Sequence, residues 1–232
     1  MINITDLKKV YDGTTVLDVP QLHIAEGELV GLVGNNGAGK STMLRLILDL
    51  IKADSGGVEI LSQPVAASEE WKQITGSFVD GRFLIDFLTP EEYFSFIAKA
   101  YGIDKEEKDA RLEEYTQLMN GEVLGTGKYL RNFSEGNRQK VGIIGAMFIN
   151  PKLLLLDEPF NYLDPSSQIT VSKLIQRMNA ELGTTIIISS HNLNLVSDIS
   201  SRILLLEKGV VIKDLTNAEG EAIRELENYF ER

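Results

Sequence analysis

The stretch Gly34-Asn35-Asn36-Gly37-Ala38-Gly39-Lys40-Ser41-Thr42 gathers the residue types that hold a chain of phosphates. Glycines at 34, 37 and 39 let main-chain N–H groups turn toward an anion, and a following helix adds its unpaired N–H groups and dipole. Lys40 is spaced to meet the β- and γ-phosphates, and the Ser41 hydroxyl to hold Mg²⁺. The apolar run Leu29-Val30-Gly31-Leu32-Val33 ahead of the loop reads as a buried strand, and the segment from Met43 to Leu48 behind it as a helix, the context such a loop requires. The loop is therefore expected to bind a nucleotide through Gly34, Asn36, Gly37, Ala38, Gly39, Lys40, Ser41 and Thr42.

A second concentration of chemistry follows Leu153-Leu154-Leu155-Leu156, where Asp157 and Glu158 stand side by side. A carboxylate at the end of a buried strand can hold the Mg²⁺ that bridges terminal phosphates, which assigns Asp157, and a neighbouring acid can orient or deprotonate an attacking water, which assigns Glu158. His191 lies just past another apolar run, Thr185 to Ser189, where it could reach a γ-phosphate as a hydrogen-bond donor. The other histidine, His23, falls on an early strand and reads as structural.

These residues need a scaffold that brings strand ends together. Ile2/Ile4, Val16/Leu17 and Leu22/Ile24 read as several short strands, punctuated by Asp12-Gly13 and Glu26-Gly27. Val58 to Leu61 and Ile74 to Val79 read as two more. Thr89-Pro90-Glu91-Glu92 is a helix start, and the helix it opens carries the aromatic stripe Tyr93, Phe94, Phe96, read as core. A charged helix is expected from Lys105 to about Met119, and together these make a helical insertion at about 83–133. A helix from Glu135 turns Val141, Ile144 and Phe148 inward and ends at Asn150-Pro151. Another runs from about Ser166 to Leu182. Two strands near Ile203–Leu206 and Val210–Lys213 and a polar helix near Glu219–Phe230 close the chain. Buried strands alternating with helices imply an α/β fold, its sheet mostly parallel and its ligands at the strands' C-terminal ends.

Composition narrows the function. With 23 basic and 34 acidic residues the net charge is −11, which argues against broad electrostatic binding to nucleic acid or an anionic membrane surface. The absence of cysteine excludes disulfides and thiolate metal sites and suits a reducing cytoplasm. No secretory signal is recognisable, and no run reaches the roughly 18 apolar residues of a membrane span.

Taken in order, the motifs resemble the ATPase domains of ATP-binding cassette (ABC) proteins over nearly the whole chain. Phe133-Ser134-Glu135-Gly136-Asn137 resembles the family's signature Leu-Ser-Gly-Gly-Gln, Leu156-Asp157-Glu158-Pro159 its Walker B segment with the catalytic glutamate, Asn161-Tyr162-Leu163-Asp164 its D-loop and His191 its switch histidine. Tyr11, by position a partly buried tyrosine, falls where family members stack an aromatic on adenine, and Val16 where an apolar residue packs nearby. The resemblance implies one domain over 1–232: a P-loop NTPase (RecA-like) core, an N-terminal antiparallel β subdomain and the helical insertion.

The resemblance also implies ATP and Mg²⁺ as ligands and ATP hydrolysis as the activity. Two cassettes would meet head to tail, so that Ser134, Glu135, Gly136, Asn137 and Asp164 serve the partner's nucleotide. The signature departs from the family at Glu135 and Asn137. Asp80 stands where the family has a glutamine that contacts Mg²⁺ or water; it is either a third metal ligand beside Ser41 and Asp157 or a turn residue. The function so implied is that of the ATPase subunit of a transporter, at the cytoplasmic face through an integral-membrane partner, with export the expected direction. The alternative is a soluble ABC ATPase acting as a mechanical clamp.

Overall fold

The computed structural model describes residues 1–217 and 221–230. Among the described residues, ten strands make two sheets. β1 (Ile2–Tyr11), β2 (Thr14–Ile24), β4 (Ser55–Ile60) and β5 (Gln63–Pro64) form an antiparallel sheet in the order β2-β1-β4-β5. Val16/Leu17 and Leu22/Ile24 prove to share one long strand, β2, because its pairing with β1 keeps one register across Pro20, from Thr5↔Gln21 to Leu7↔Val19. The second sheet uses β3 (Leu29–Val33), β6 (Thr75–Phe78), β7 (Leu153–Asp157), β8 (Thr185–Ser190), β9 (Arg202–Glu207) and β10 (Val210–Thr216), in the order β10-β9-β3-β8-β7-β6. Only the β9–β10 hairpin is antiparallel in it.

The period-2 geometry of a strand divides the leucines of β7 between two cores. Leu154 and Leu156 face the core filled by helices that follow β6, whereas Leu153 and Leu155 face the core shared by the antiparallel sheet and the helix at 40–47. In β8, Ile186 and Ile188 join the first core and Ile187 the second. Both strands are buried on both faces, so they read as unbroken apolar runs, and both deliver their polar residues at the same sheet edge.

The helices are α1 (Lys40–Ile47), α2 (Pro90–Ala100), α3 (Lys105–Glu113), α4 (Thr116–Met119), α5 (Glu135–Met147), α6 (Pro165–Leu182), α7 (Leu193–Ser197) and α8 (Glu221–Phe230). The start expected for α2 is a full capping box: Thr89 Oγ1 accepts from the Glu92 N–H at 3.3 Å, and the Glu92 carboxylate accepts from the Thr89 N–H at 2.8 Å. Its aromatic stripe is only partly core. Phe94 is fully buried against Phe148, but Phe96 is 56% exposed, since residues two apart on a helix face different ways.

The single helix expected from Lys105 to Met119 is two. Buried Tyr115 leaves the helical region between α3 and α4 and turns the chain so that Leu118 and Met119 reach the core. The last helix agrees with the expectation from Glu221; Glu219 and Gly220 lie outside the described residues. Among the described residues no helix is long and apolar enough to cross a membrane.

Candidate active site

The phosphate loop leaves the C-terminal end of β3, the strand between β8 and β9. Gly34 adopts φ +156°, and a Cβ there would lie 2.3 Å from the Leu206 carbonyl oxygen, so the loop's first turn requires glycine on two counts. The turn between β9 and β10 then supports the loop from outside: the Gly209 N–H donates to the Ala38 carbonyl at 2.8 Å. Both strands of this hairpin are expected from the sequence, but its partnership with the loop is visible only once β9 is placed beside β3.

Together these elements frame a cleft of about 290 Å³ lined by Tyr11, Val16, the loop from Asn36 to Thr42, and Glu158. Every residue expected to hold a nucleotide within one chain, apart from Gly34 in the loop's base, lines it. Tyr11 closes β1 at the cleft mouth, about half exposed, with the Lys9 ammonium 5.0 Å from its ring centroid. The ring thus offers an exposed aromatic surface with a cation beside it.

Lys40, only 6% exposed, folds back on its own loop: Nζ donates to the Gly34 carbonyl at 2.7 Å and lies 3.3 Å from Glu158 Oε1. The other oxygen of Glu158 is 2.9 Å from His191 Nδ1 and accepts the His191 N–H at 3.3 Å. The glutamate therefore bridges the loop lysine and the histidine at the cleft floor. Its backbone sits at φ +47°, a left-handed conformation that costs a non-glycine residue of order 1 kcal/mol and that surrounding contacts must sustain.

The contacts that sustain it join residues far apart in sequence. Asp157 and Ser189 are register partners across the β7–β8 ladder. The Ser189 hydroxyl donates to Asp157 Oδ1 and accepts the Glu158 N–H at 3.0 Å. On the far side the Gln139 amide of α5 donates to the Glu158 carbonyl at 3.0 Å. A polar residue ending the isoleucine run of β8 was the one available sign of Ser189.

Two of the expected ligands, Asp80 and Asp164, already have partners within the chain. Asp80 ends the segment after β6, where its carboxylate accepts the Arg82 N–H at 2.9 Å and meets the Arg82 guanidinium at 2.6 Å and that of Arg45, from α1, at 3.2 Å. The Arg82 hydrogen bonds hold this carboxyl below the usual carboxylate range. Asp80 thus caps a turn while lying between two guanidinium groups. Asp164 caps α6: its oxygens accept from the Ser166 hydroxyl at 2.6 Å, the Ser167 N–H at 3.0 Å and the Ser167 hydroxyl at 2.6 Å, which together hold it far below the usual range. A carboxyl depressed on folding adds stability above its unfolded pKa and loses it as pH falls through the folded one. The stability difference between wild type and Asp164→Ala is therefore expected to be constant from neutral pH down to about 4 and to shrink in stronger acid, as denaturant melts across that range would register.

Ser134 caps α5, accepting the Asn137 N–H at 3.3 Å, and with Glu135, Gly136 and Asn137 it lies outside the lining of the cleft. The signature and the phosphate loop thus do not meet in this cleft. Oxygen donors for a hard cation are present in Ser41 and Asp157, but among the described residues no group of three or more His, Cys, Asp or Glu forms a metal site. Such a set fits Mg²⁺, which is bound by one or two carboxylates together with phosphate oxygens and water.

The family model described as ABC transporter matches residues 17–161. The chain belongs to the ABC transporter family. As an ABC ATPase cassette it is 34% identical, over 223 residues, to a methionine import ATP-binding protein of Oceanobacillus iheyensis, an alignment covering 92% of this chain and 66% of that protein. It is 31% identical to a methionine import ATP-binding protein of Clostridium tetani, with 95% and 73% covered. The chain thus spans only part of the length of these relatives. Among solved structures, an ATP-binding subunit of an ABC transporter superposes with a TM-score of 0.85 at 29% identity, over 98% of this chain and 93% of that one. A cassette solved as a dimer in a post-hydrolysis state with ADP and Pi gives 0.83 at 26% identity, over 94% and 99%. The expected α/β fold, with its mostly parallel sheet and antiparallel N-terminal β layer, is the fold of these cassettes.

Proposed function

We propose that this cassette binds ATP with Mg²⁺, hydrolyses it to ADP and phosphate in a head-to-tail pair with a second cassette, and so drives transport through an integral-membrane partner at the cytoplasmic face. The observation that carries the reading is Glu158, held between Lys40 and His191 on the floor of the phosphate-loop cleft. In that position its carboxylate can take a proton from a water aimed at the terminal phosphate while His191 orients the same group. Lys40 and the loop N–H groups would bind the β- and γ-phosphates, and Tyr11 with Val16 the base. Ser41 and Asp157 would hold Mg²⁺, which when bound offsets the charge of the phosphates.

The second cassette is favoured by the separation of Ser134–Asn137 from the cleft, since a signature that cannot serve its own nucleotide can serve a partner's. A membrane partner is favoured by the helical segment of about 83–133, read as an insertion within one domain, which exposes Phe83, Phe87 and Phe96. The relatives are named for import, so they weigh for uptake against the export expected from sequence. The −11 charge gives no support to direct nucleic-acid binding.

Two measurements test the reading. Light scattering should find the chain monomeric without nucleotide and dimeric with ATP when hydrolysis is blocked. A pull-down from membranes in mild detergent should recover an integral-membrane protein, and recovery of none would sink the transport half of the proposal.

A further inference from the structure

We propose that Ser189 and Gln139 are positioning residues that clamp Glu158 from its two sides and tie its geometry to the signature helix. The inference rests on the catalytic reading of Glu158 above, and it assigns work to two residues that make none of the nucleotide contacts proposed there.

Glu158 cannot hold its place by local preference, because its left-handed backbone is disfavoured for any side chain with a Cβ. Its N–H is shared between the Ser189 hydroxyl at 3.0 Å and the Ser189 carbonyl at 3.1 Å. Its carbonyl accepts from the Gln139 amide at 3.0 Å and from the Asn161 N–H at 3.2 Å. Ser189 is fully buried and Gln139 is 8% exposed, so neither bond competes strongly with water.

The two anchors differ in what they connect. Ser189 spends its one hydroxyl proton on Asp157 and its lone pair on Glu158, so a single atom sets the two acids against each other. Gln139 rides on α5, five residues after the helix cap Ser134. The same helix touches the acid loop again at Gly136, where an added Cβ would lie 2.6 Å from the Tyr162 carbonyl oxygen. A displacement of the N-terminal turn of α5, the part expected to meet a second cassette, would therefore reach the Glu158 peptide through the Gln139 hydrogen bond and the backbone at Tyr162 through the close approach of Gly136.

The test uses Ser189→Ala, Ser189→Thr and Gln139→Met in the full chain. Ser189→Ala and Gln139→Met are expected to lower kcat for ATP hydrolysis about 10- to 100-fold, the usual cost of losing an orienting partner, with KM changed less than about twofold. Ser189→Thr keeps the hydroxyl and should recover most of the lost turnover. In nucleotide-free protein, hydrogen exchange of the 157–163 segment should accelerate in Ser189→Ala and Gln139→Met but not in Ser189→Thr, with thermal melts confirming that all three fold. Wild-type turnover in both Ser189→Ala and Gln139→Met, or equal damage from Ser189→Thr and Ser189→Ala, overturns the proposal. If Glu158→Gln itself turned over normally, the catalytic reading would fall, and unaltered exchange of 157–163 would separately overturn the clamp.

Discussion

Replacing Glu158 by glutamine is expected to cut ATP turnover by at least about 100-fold while leaving ATP binding intact. Glutamine keeps the size and the hydrogen-bonding reach of the side chain but cannot accept a proton as a base, and general-base contributions run to about 10²–10⁴-fold. Binding should survive because Glu158 does not donate to phosphate in this geometry; it competes for the cation that would. Its Oε1 lies 3.3 Å from Lys40 Nζ, and an uncharged amide holds that ammonium less tightly. ATP affinity in Glu158→Gln should therefore equal or exceed that of wild type, and an ATP-bound dimer should accumulate on a sizing column. Phosphate release and equilibrium binding of a fluorescent ATP analogue measure the two halves separately. Near-wild-type phosphate release would remove Glu158 from the catalytic role, whatever the binding result.

How much of this was legible in the chain depends on how far apart the cooperating atoms lie in sequence. The phosphate loop could be read because its chemistry is contiguous: strand, glycines, lysine, hydroxyl and helix succeed one another within the span from Leu29 to Leu48. Asp157 and Glu158 were legible for the same reason, as two acids ending an apolar strand. Ser189 was not, because its partnership with Asp157 exists only through the adjacency of β7 and β8, and strand order is set by packing across the whole sheet. Gln139 belongs to the same class: its target lies 19 residues on, across a helix–strand crossover.

Asp80 and Phe96 show the reverse problem, where a legible residue carried more than one meaning. The type and position of Asp80 suited a metal ligand or a turn, and only the placement of Arg45 on α1 beside it favours the turn. Phe96 belonged to a run of aromatics, and the run said nothing of which helix face each would take. The break at Tyr115 had no strong local signature, since neither Gly nor Pro marks it and β-branched Thr116 only weakly disfavours a helix, and the turn accompanies burial of Tyr115, Leu118 and Met119.

Lys40→Ala is expected to act on the opposite half of the reaction, by weakening ATP binding. A charge-assisted hydrogen bond contributes about 1.5–3 kcal/mol, which corresponds to a Kd raised by about 10- to 100-fold. In the free protein Lys40 is already satisfied by the Gly34 carbonyl and by Glu158, so the incoming phosphates exchange partners with it and do not meet a bare charge. That exchange lowers the net gain from Lys40, but it also means that its removal leaves the Glu158 carboxylate facing the phosphate site without its cation. Repulsion then adds to the loss. The effect should depend on the nucleotide: large for ATP, smaller for ADP, and absent for AMP, whose single phosphate lies short of the position that Lys40 serves. Titrations of the three nucleotides against wild type and Lys40→Ala would show this gradient. A uniform loss across all three would point to a collapsed loop, and unchanged ATP affinity would count against the loop as the phosphate cradle.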